Sequence, residues 1–393
     1  MQIHTVQNGE TVKDIAEQYG VSEDNIRESN GLGTDEVTAG EQLLVLIPTR
    51  SYTARAGDSL DRISLRFGIR KSDIIAMNPN LSLGKLKCGQ TITLRSSARP
   101  YGMSVGNGYF YKGCSEDRLR TLLPYLTYVT LASYSADEGG IKRIFDDKTA
   151  LDIAVSASKI PLVRVYDGYS ERYTDEKARE SFAEKLINIA KDGGYKGIVL
   201  NACAKATVER EFAEFIVNMR KRMMGLDLIL ITEIDGDSPI SFSDYADGSV
   251  ISYPKYAQSE PLGFEEGEKK ILSDFACRGE SAKAFVDLPS LARLGEKYAS
   301  IDDALKEARR TRAKIKNDEK SLLSSFRCRQ GEWQYTSLEN IKALLSLVGE
   351  YDYSGVCFDI MRTPVSHLMM YNAMFKTAYH TSVRAREGCS REA

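Results

Sequence analysis

The chain has 393 residues, of which 42% are hydrophobic and 27% are charged, and its formal net charge is -2. This length predicts two or three globular domains, and the near-neutral charge gives no electrostatic basis for binding nucleic acid or an anionic membrane. No run of 18 apolar residues occurs, so we predict no membrane span.

The N-terminus, MQIHTVQNGETV, reads as the first strand of a domain because it lacks the basic start and apolar segment of a secretory signal. Seven scattered cysteines without a CxxC pair argue against a disulfide framework or a thiolate zinc site, and they favour synthesis in a reducing cytoplasm. Only three histidines occur, His4, His367 and His380. We therefore expect no bound metal and no cofactor.

An internal repeat of 48 residues fills the first quarter of the chain. Aligned pairs include His4 and Tyr52, Gly9 and Gly57, Ile15 and Ile63, Gly20 and Gly68, and Asn30 and Asn78. Each unit is predicted to be a strand, two helices and a closing strand. Thr11 and Ser59 can cap the first helix, and a glycine ends it because glycine accepts a left-handed backbone.

The two openings, HTVQNGETVKDIAEQYG and YTARAGDSLDRISLRFG, resemble the YTVxxGDSLxxIAxxFG opening of LysM modules. LysM modules bind peptidoglycan, chitin and related N-acetylglucosamine polymers. The resemblance implies a glycan groove between the loop after the first strand and the loop after the second helix. The implied glycan-binding residues are Gly9, Glu10, Thr11, Val12, Asn30, Gly31, Leu32, Gly57, Asp58, Ser59, Leu60, Asn78, Pro79 and Asn80.

The chemistry of these loops suits a glycan without reference to a family. Backbone amides and short polar groups can hydrogen-bond an acetamido group, while an apolar side chain contacts its methyl group. The alternative interpretation is that the glycines and asparagines only build turns.

Eight short β-rich segments alternate with amphipathic helical segments after residue 99, a pattern that predicts a parallel (β/α)8 barrel of the α/β class. The predicted strands are residues 101–105, 128–133, 162–165, 197–200, 227–232, 249–253, 284–288 and 355–359. Catalytic groups of such barrels lie where strands end. The polar candidates there are Asp167, Asn201, Cys203, Glu233, Asp235, Tyr253, Asp287 and Asp359. Each lone acid is alternatively a solvated or capping residue.

The order of elements resembles glycoside hydrolase family 18, in particular the spore-cortex-lytic N-acetylglucosaminidases, which carry two LysM modules before the barrel. The family motif DGxDxDxE on the fourth strand implies a general-acid Glu and, two residues earlier, an Asp that orients the substrate acetamido group. Here Lys196 replaces the first Asp, Asn201 the orienting Asp and Cys203 the acid. Tyr253 matches the strand-six Tyr that the family uses to bind the acetamido carbonyl.

The replaced acid predicts a loss of hydrolysis. A carboxylic acid can be tuned to donate a proton near neutral pH, whereas a thiol with a pKa of about 8.5 is a poor match. Losing a general acid costs on the order of 10²–10⁴ in rate. On the eighth strand the family often has a Trp floor, but this chain has Cys357-Phe358-Asp359, and its single Trp333 lies elsewhere.

Three interpretations of Cys203 remain open. It is a small apolar filler in a vestigial site, a reactive nucleophile, or a replaced residue in a barrel that has rebuilt its acid pair. The acids available for such a rebuilt site are Asp167, Glu233, Asp235 and Asp359.

We predict LysM modules at residues 1–48 and 51–95, a family 18-like barrel at 99–385 and a tail at 386–393. The leading hypothesis is a peptidoglycan-binding protein of the spore envelope or cell wall with an inactive barrel. The alternatives are an active N-acetylglucosaminidase and a morphogenetic protein that presents the barrel to spore-envelope proteins.

Overall fold

The structure is a computed structural model. It describes residues 1–81, 86–96, 101–202, 209–235, 245–252, 264 and 267–378. In these ranges, no helix is both long enough and apolar enough to cross a membrane.

The first repeat is a βααβ unit whose first helix begins and ends at the predicted residues. Its elements are β1 (Gln2–Thr5), α1 (Val12–Tyr19), α2 (Glu23–Asn30) and β2 (Gln42–Val45), with β1 and β2 antiparallel. The Thr11 hydroxyl accepts from the Asp14 amide, and the Asp14 carboxylate accepts from the Thr11 amide, which together form a capping box. Gly20 ends α1 at φ 64°. The predicted cap and stop are confirmed.

The second repeat has the same plan. Its elements are β3 (Pro48–Thr53), α3 (Leu60–Phe67), α4 (Lys71–Met77) and β4 (Thr91–Ser96). The Ser59 side chain accepts from the Arg62 amide at the start of α3, and Gly68 ends that helix at φ 64°. Each repeat therefore packs its own small core from helices and a two-stranded antiparallel sheet.

The rest of the described chain alternates strands and helices. The strands are β5 (Met103–Phe110), β6 (Tyr128–Asp137), β7 (Gly140–Arg143), β8 (Ile160–Asp167), β9 (Gly197–Ala202), β10 (Ile229–Asp235), β11 (Gly248–Ser252), β12 (Ala284–Asp287), β13 (Leu291–Leu294), β14 (Lys297–Ser300), β15 (Lys316–Asn317), β16 (Leu323–Cys328), β17 (Gly331–Thr336), β18 (Gly355–Asp359) and β19 (Lys376–Thr377). The helices are α5 (Glu116–Leu122), α6 (Lys148–Ser156), α7 (Glu176–Gly193), α8 (Glu209–Met224), α9 (Glu268–Cys277), α10 (Ile301–Thr311), α11 (Leu338–Glu350) and α12 (Val365–Met374).

Eight parallel strands close into a barrel in the order β5, β6, β8, β9, β10, β11, β12 and β18, with β18 paired to β5. The predicted (β/α)8 barrel is confirmed, and each predicted segment overlaps one of these strands. Alternate residues face the axis and fill it with packed side chains. The packed set is Val105, Tyr128, Leu162, Val199, Ile231, Val250, Phe285 and Cys357.

A five-stranded antiparallel sheet is inserted between β12 and β18, in the order β14, β13, β17, β16 and β15. It packs against α10, and Trp333 stacks on Phe326 inside it. No strand was predicted from the sequence in this stretch. Several of these strands, such as KYAS and GEWQYT, carry polar and charged residues in place of the apolar run that marks the barrel strands.

Both repeats pack on the barrel. Nine of the ten residues of α12 are buried, and α12 contacts α2 and α4 of the repeats. The Tyr125 hydroxyl donates to the Ala76 carbonyl at 2.8 Å. In the first repeat, buried Glu41 pairs with Arg309 through contacts of 2.6–3.2 Å. The repeats are therefore anchored on the barrel and are not tethered only by a linker.

Candidate glycan-binding loops and barrel mouth

The first loop of the first repeat is ordered around a carboxylate. Glu10 Oε2 accepts from the Gln7 amide at 2.7 Å and lies 2.8 Å from His4 Nε2, while His4 Nδ1 lies 3.2 Å from the Tyr19 hydroxyl. Burial raises the pKa of Glu10, but the contacts with Gln7 and His4 outweigh burial and lower it. The loop turns at Gly9, which has φ 82° and is exposed.

The first loop of the second repeat uses the same geometry with different side chains. Asp58 Oδ2 accepts from the Tyr52 hydroxyl at 2.7 Å and from the Arg55 amide at 2.8 Å. The Tyr52 hydrogen bond is the main cause that lowers the pKa of Asp58. Gly57 makes the turn at φ 82°. Both loops therefore present exposed backbone at a glycine next to an ordered carboxylate.

Asn30 and Asn78 have a structural role. The Asn30 side-chain amide donates to the carbonyls of Ile26 and Leu44 and accepts from the Leu44 amide, at 2.7–2.9 Å. Asn78 makes the same three bonds to Ile74 and Thr93, at 2.7–2.8 Å. Each asparagine ties the second helix to the closing strand. These contacts give the two side chains a role in the scaffold of the groove, and their glycan contact stays a prediction.

The remaining predicted residues differ in accessibility. Thr11 and Ser59 are exposed but cap helices, Leu60 is half-buried, and Val12 is buried in the core. The accessible polar groups are therefore mainly backbone groups of the first loops.

The loops after the second helices lie against other parts of the molecule. Gly31 is exposed at φ 62°, but a Cβ atom there would lie 3.0 Å from Val365 of α12. Leu32 and Pro79 are buried, and the Asn80 side chain donates to Glu28 at 3.1 Å. The exposed side of each candidate groove is therefore its first loop.

The barrel mouth contains the fourth-strand motif. Val199 faces the barrel axis, and Asn201, two residues later on the same face of β9, donates to Glu233 Oε2 at 2.5 Å. Cys203 and Tyr253 lie outside the described residues, so their predicted roles are untested.

Glu233 is paired with an arginine that was not among the residues singled out from the sequence. Arg164 Nε and Nη2 donate to its two oxygens at 2.7–2.9 Å. Burial raises the pKa of Glu233, but the Arg164 charge and the hydrogen bonds outweigh burial and lower it. Glu233 is consequently ionised at neutral pH and is a poor proton donor. The sequence signal for this pair is an arginine inside LVRVYD, a strand segment that is otherwise mostly apolar.

Asp167 ends β8 and is almost completely buried. It accepts from the Tyr173 hydroxyl at 2.7 Å, from Arg172 Nε at 3.1 Å and from the Tyr169 amide at 3.1 Å. These bonds hold the turn that follows β8, so Asp167 organises the mouth rather than facing a substrate.

Asp359 ends β18 and is similarly bound. It accepts from the Tyr111 hydroxyl at 2.9 Å, from Arg362 Nη1 at 3.1 Å and from the Met361 amide at 2.9 Å. The backbone of Asp235 belongs to β10, but its side chain lies outside the described residues. An arginine therefore pairs with each of these three acids, Glu233, Asp167 and Asp359.

The LysM domain model matches residues 4–45 and 52–95. The chain carries two LysM domains. A Bacillus subtilis protein named as a sporulation-specific glycosylase, YdhD, is 25% identical over 274 residues, which cover 64% of each chain. The cell wall-binding protein YocH of Bacillus subtilis is 34% identical over 107 residues, covering 26% of this chain and 37% of YocH. The chain thus spans less than two thirds of either relative.

The whole architecture matches a solved structure. The spore cortex-lytic enzyme SleL of Bacillus megaterium superposes with a TM-score of 0.74 over 97% of this chain and 99% of its own, at 17% identity. The chain therefore shares the fold of this enzyme, with two LysM domains before a (β/α)8 barrel.

Proposed function

We propose that this protein binds N-acetylglucosamine-containing wall glycan, chiefly peptidoglycan, through its LysM domains, and that its barrel does not hydrolyse that glycan. The first loops support glycan binding because each presents exposed backbone at Gly9 or Gly57 next to an ordered carboxylate. By resemblance, these loops form one wall of a LysM glycan groove.

The single observation that supports an inactive barrel is the state of its acids. The buried carboxylate on β10, Glu233, is kept ionised by Arg164, and Asn201 donates to it where the family has an orienting carboxylate. General-acid catalysis needs a protonated carboxyl group within hydrogen-bonding distance of the leaving oxygen. In the described part of the mouth, Glu233 does not meet that requirement, and Asp167 and Asp359 accept hydrogen bonds from neighbouring tyrosines and arginines.

An active N-acetylglucosaminidase is the second candidate, and the accessible mouth favours it. Tyr166 is 44% exposed and, by strand alternation, lies on the same face of β8 as Arg164. An aromatic ring beside polar groups suits a bound sugar. In this case Asp235 or another carboxyl group supplies the proton.

The test separates binding from turnover. The full-length protein is incubated with purified peptidoglycan, cortex fragments and chitin oligomers, and both the bound fraction and new reducing ends are measured, the latter by mass spectrometry. We expect binding without cleavage. Turnover that is abolished by Asp235→Asn would overturn the inactive barrel and establish the second candidate.

A paired restoration is the companion measurement. The variant Asn201→Asp with Cys203→Glu rebuilds the last two acids of the family motif, and Asn201→Asp alone is the matched control. Activity in the double variant alone supports a site lost at these positions. Because Asn201 contacts Glu233, thermal unfolding of each variant checks that the barrel is intact.

We further propose that the protein resides at the spore envelope or cell wall. Labelled protein on sporulating cells and isolated walls tests this location, and diffuse labelling without wall enrichment would contradict it. Spore-envelope proteins are candidate partners under the morphogenetic alternative.

A further inference from the structure

The two LysM domains carry opposite net charges. Residues 4–45 contain nine Asp and Glu against two Lys and Arg, a formal charge of -7, whereas residues 52–95 contain three against eight, a formal charge of +5. The near-neutral total for the whole chain conceals this difference. A charge contrast of this size between two copies of one fold indicates that their surfaces meet different ligands.

Three of the eight Lys and Arg residues of the second domain lie at or close to its candidate glycan loop. Arg55 lies in that loop, and Arg62 and Arg66 lie one turn apart on α3; all three are exposed. Arg62 Nη1 donates to the Gly57 carbonyl at 2.8 Å, and Arg66 Nη1 donates to the Tyr52 hydroxyl at 2.9 Å. These bonds position two guanidinium groups beside the exposed glycine turn.

The three arginines form no surface ion pair with a carboxylate of the described residues. Within the described residues, none of them has a carboxylate within 4 Å, whereas Arg70 and Lys71 of the same domain pair with Asp73 and Asp61. Asp58 interacts electrostatically with Arg55 and Arg66, but its carboxylate accepts its hydrogen bonds from Tyr52 and from the Arg55 amide. The arginines therefore retain N–H groups that can bind an anion.

The first domain has no such cluster at the matching positions. A shift of 48 residues aligns Arg55, Arg62 and Arg66 with Gln7, Asp14 and Gln18. Asp14 uses its carboxylate in the capping box of α1, at the site where Arg62 instead contacts Gly57. The same groove wall is therefore acidic or neutral in one domain and cationic in the other.

We propose that the second LysM domain recognises the carboxylates of peptidoglycan, and that the first binds uncharged N-acetylglucosamine segments. This inference rests on the proposed wall-glycan binding and adds a division of ligands. Guanidinium groups bind carboxylates in pairs of hydrogen bonds, and exposed ion pairs weaken as salt screens them. Binding through the second domain is therefore salt-dependent and requires acidic groups on the glycan.

The test uses the full chain and two soluble probes that differ in charge. One is the uncharged tetramer of N-acetylglucosamine, and the other is a peptidoglycan tetrasaccharide whose N-acetylmuramic acid units carry carboxylates. The variant combines Arg55→Gln, Arg62→Asp and Arg66→Gln, which are the residues of the first domain. Asp at position 62 matches the capping acid Asp14, so α3 is expected to form. Lys87→Gln, which removes one exposed cation outside the cluster, is the matched control for Arg55→Gln alone, which removes one exposed cation inside it.

We expect the triple variant to lose about tenfold in affinity for the carboxylated probe and to bind the uncharged tetramer within about twofold of wild type. Raising NaCl from about 50 to about 500 mM should weaken wild-type binding of the carboxylated probe only. Equal losses for both probes, or no salt dependence, would overturn the division of ligands. Tighter binding of a glycerol phosphate polymer than of the carboxylated probe would also overturn it. If the wild type binds neither probe nor whole peptidoglycan, the proposed function itself fails.

Discussion

The first and second LysM domains share their buried and helix-capping contacts but differ in their exposed residues. In both, an asparagine ties helix to strand, a hydroxyl caps the first helix and a glycine ends it. Around the first loop, however, His4 and Glu10 of one domain correspond to Tyr52 and Asp58 of the other. Folding therefore constrains the buried and capping positions of the repeat, while its exposed positions are free to specialise.

The largest expected difference between the domains lies at their contacts with the rest of the chain. Glu41 accepts from the Thr38 amide and pairs with Arg309, whereas its counterpart Gln90 accepts from the Lys87 amide. Glu41→Gln should destabilise the protein by about 3 kcal/mol, because it leaves Arg309 buried without this counter-charge. Thermal unfolding and hydrogen exchange measure this. Gln90→Ala is the control, with an expected cost of about 0.5 kcal/mol. Equal effects would show that the Arg309 pair does not anchor the first domain.

The asparagines should behave alike in the two domains. Asn30→Ala and Asn78→Ala each remove three hydrogen bonds and leave buried backbone groups unpaired, so we expect a loss of about 2 kcal/mol from each. Exposed Asn80→Ala should cost little. If Asn30→Ala abolished glycan binding without changing the unfolding temperature, Asn30 would be a glycan contact after all.

The helix-ending glycines should give smaller and equal effects. Gly20 and Gly68 share φ 64°, and a Cβ atom added at either glycine would meet no other atom within 4 Å. Gly20→Ala and Gly68→Ala should each cost about 1 kcal/mol, from backbone strain alone. Unequal shifts in unfolding temperature would reveal that one domain transmits the strain to the barrel.

The smallest expected effect is an acid-dependent difference at the first loops. Hydrogen bonding lowers the pKa of Glu10 below its ordinary 4.5 and that of Asp58 below its ordinary 3.8. A lowered folded pKa stabilises the protein above the unfolded value, and this stabilisation is lost as pH falls through the folded value. Glu10→Gln should therefore make the stability of the first domain less dependent on pH below about pH 4.5. Carboxyl NMR titration checks it, with the exposed Glu17→Gln as control, and an unchanged pH dependence in Glu10→Gln would contradict it.

The repeat and barrel strands were predictable because they leave strong local patterns. The predicted segment 197–200, for example, is a buried run that lies within the strand Gly197–Ala202. The inserted sheet was missed because strands such as Lys297–Ser300 (KYAS) are polar and lack a buried apolar run. The scaffold role of Asn30 could not be told from a glycan contact, since a recurring asparagine in a turn has the same sequence signature whether it binds a ligand or the backbone.

Residue type and spacing alone predict the two capped repeats and the eight barrel strands, because these features are local. The folded structure adds that Arg164 pairs with Glu233, 69 residues away, and that Arg309 pairs with Glu41, 268 residues away. Ionisation and docking depend on distances in space between side chains, and local sequence patterns do not encode those distances.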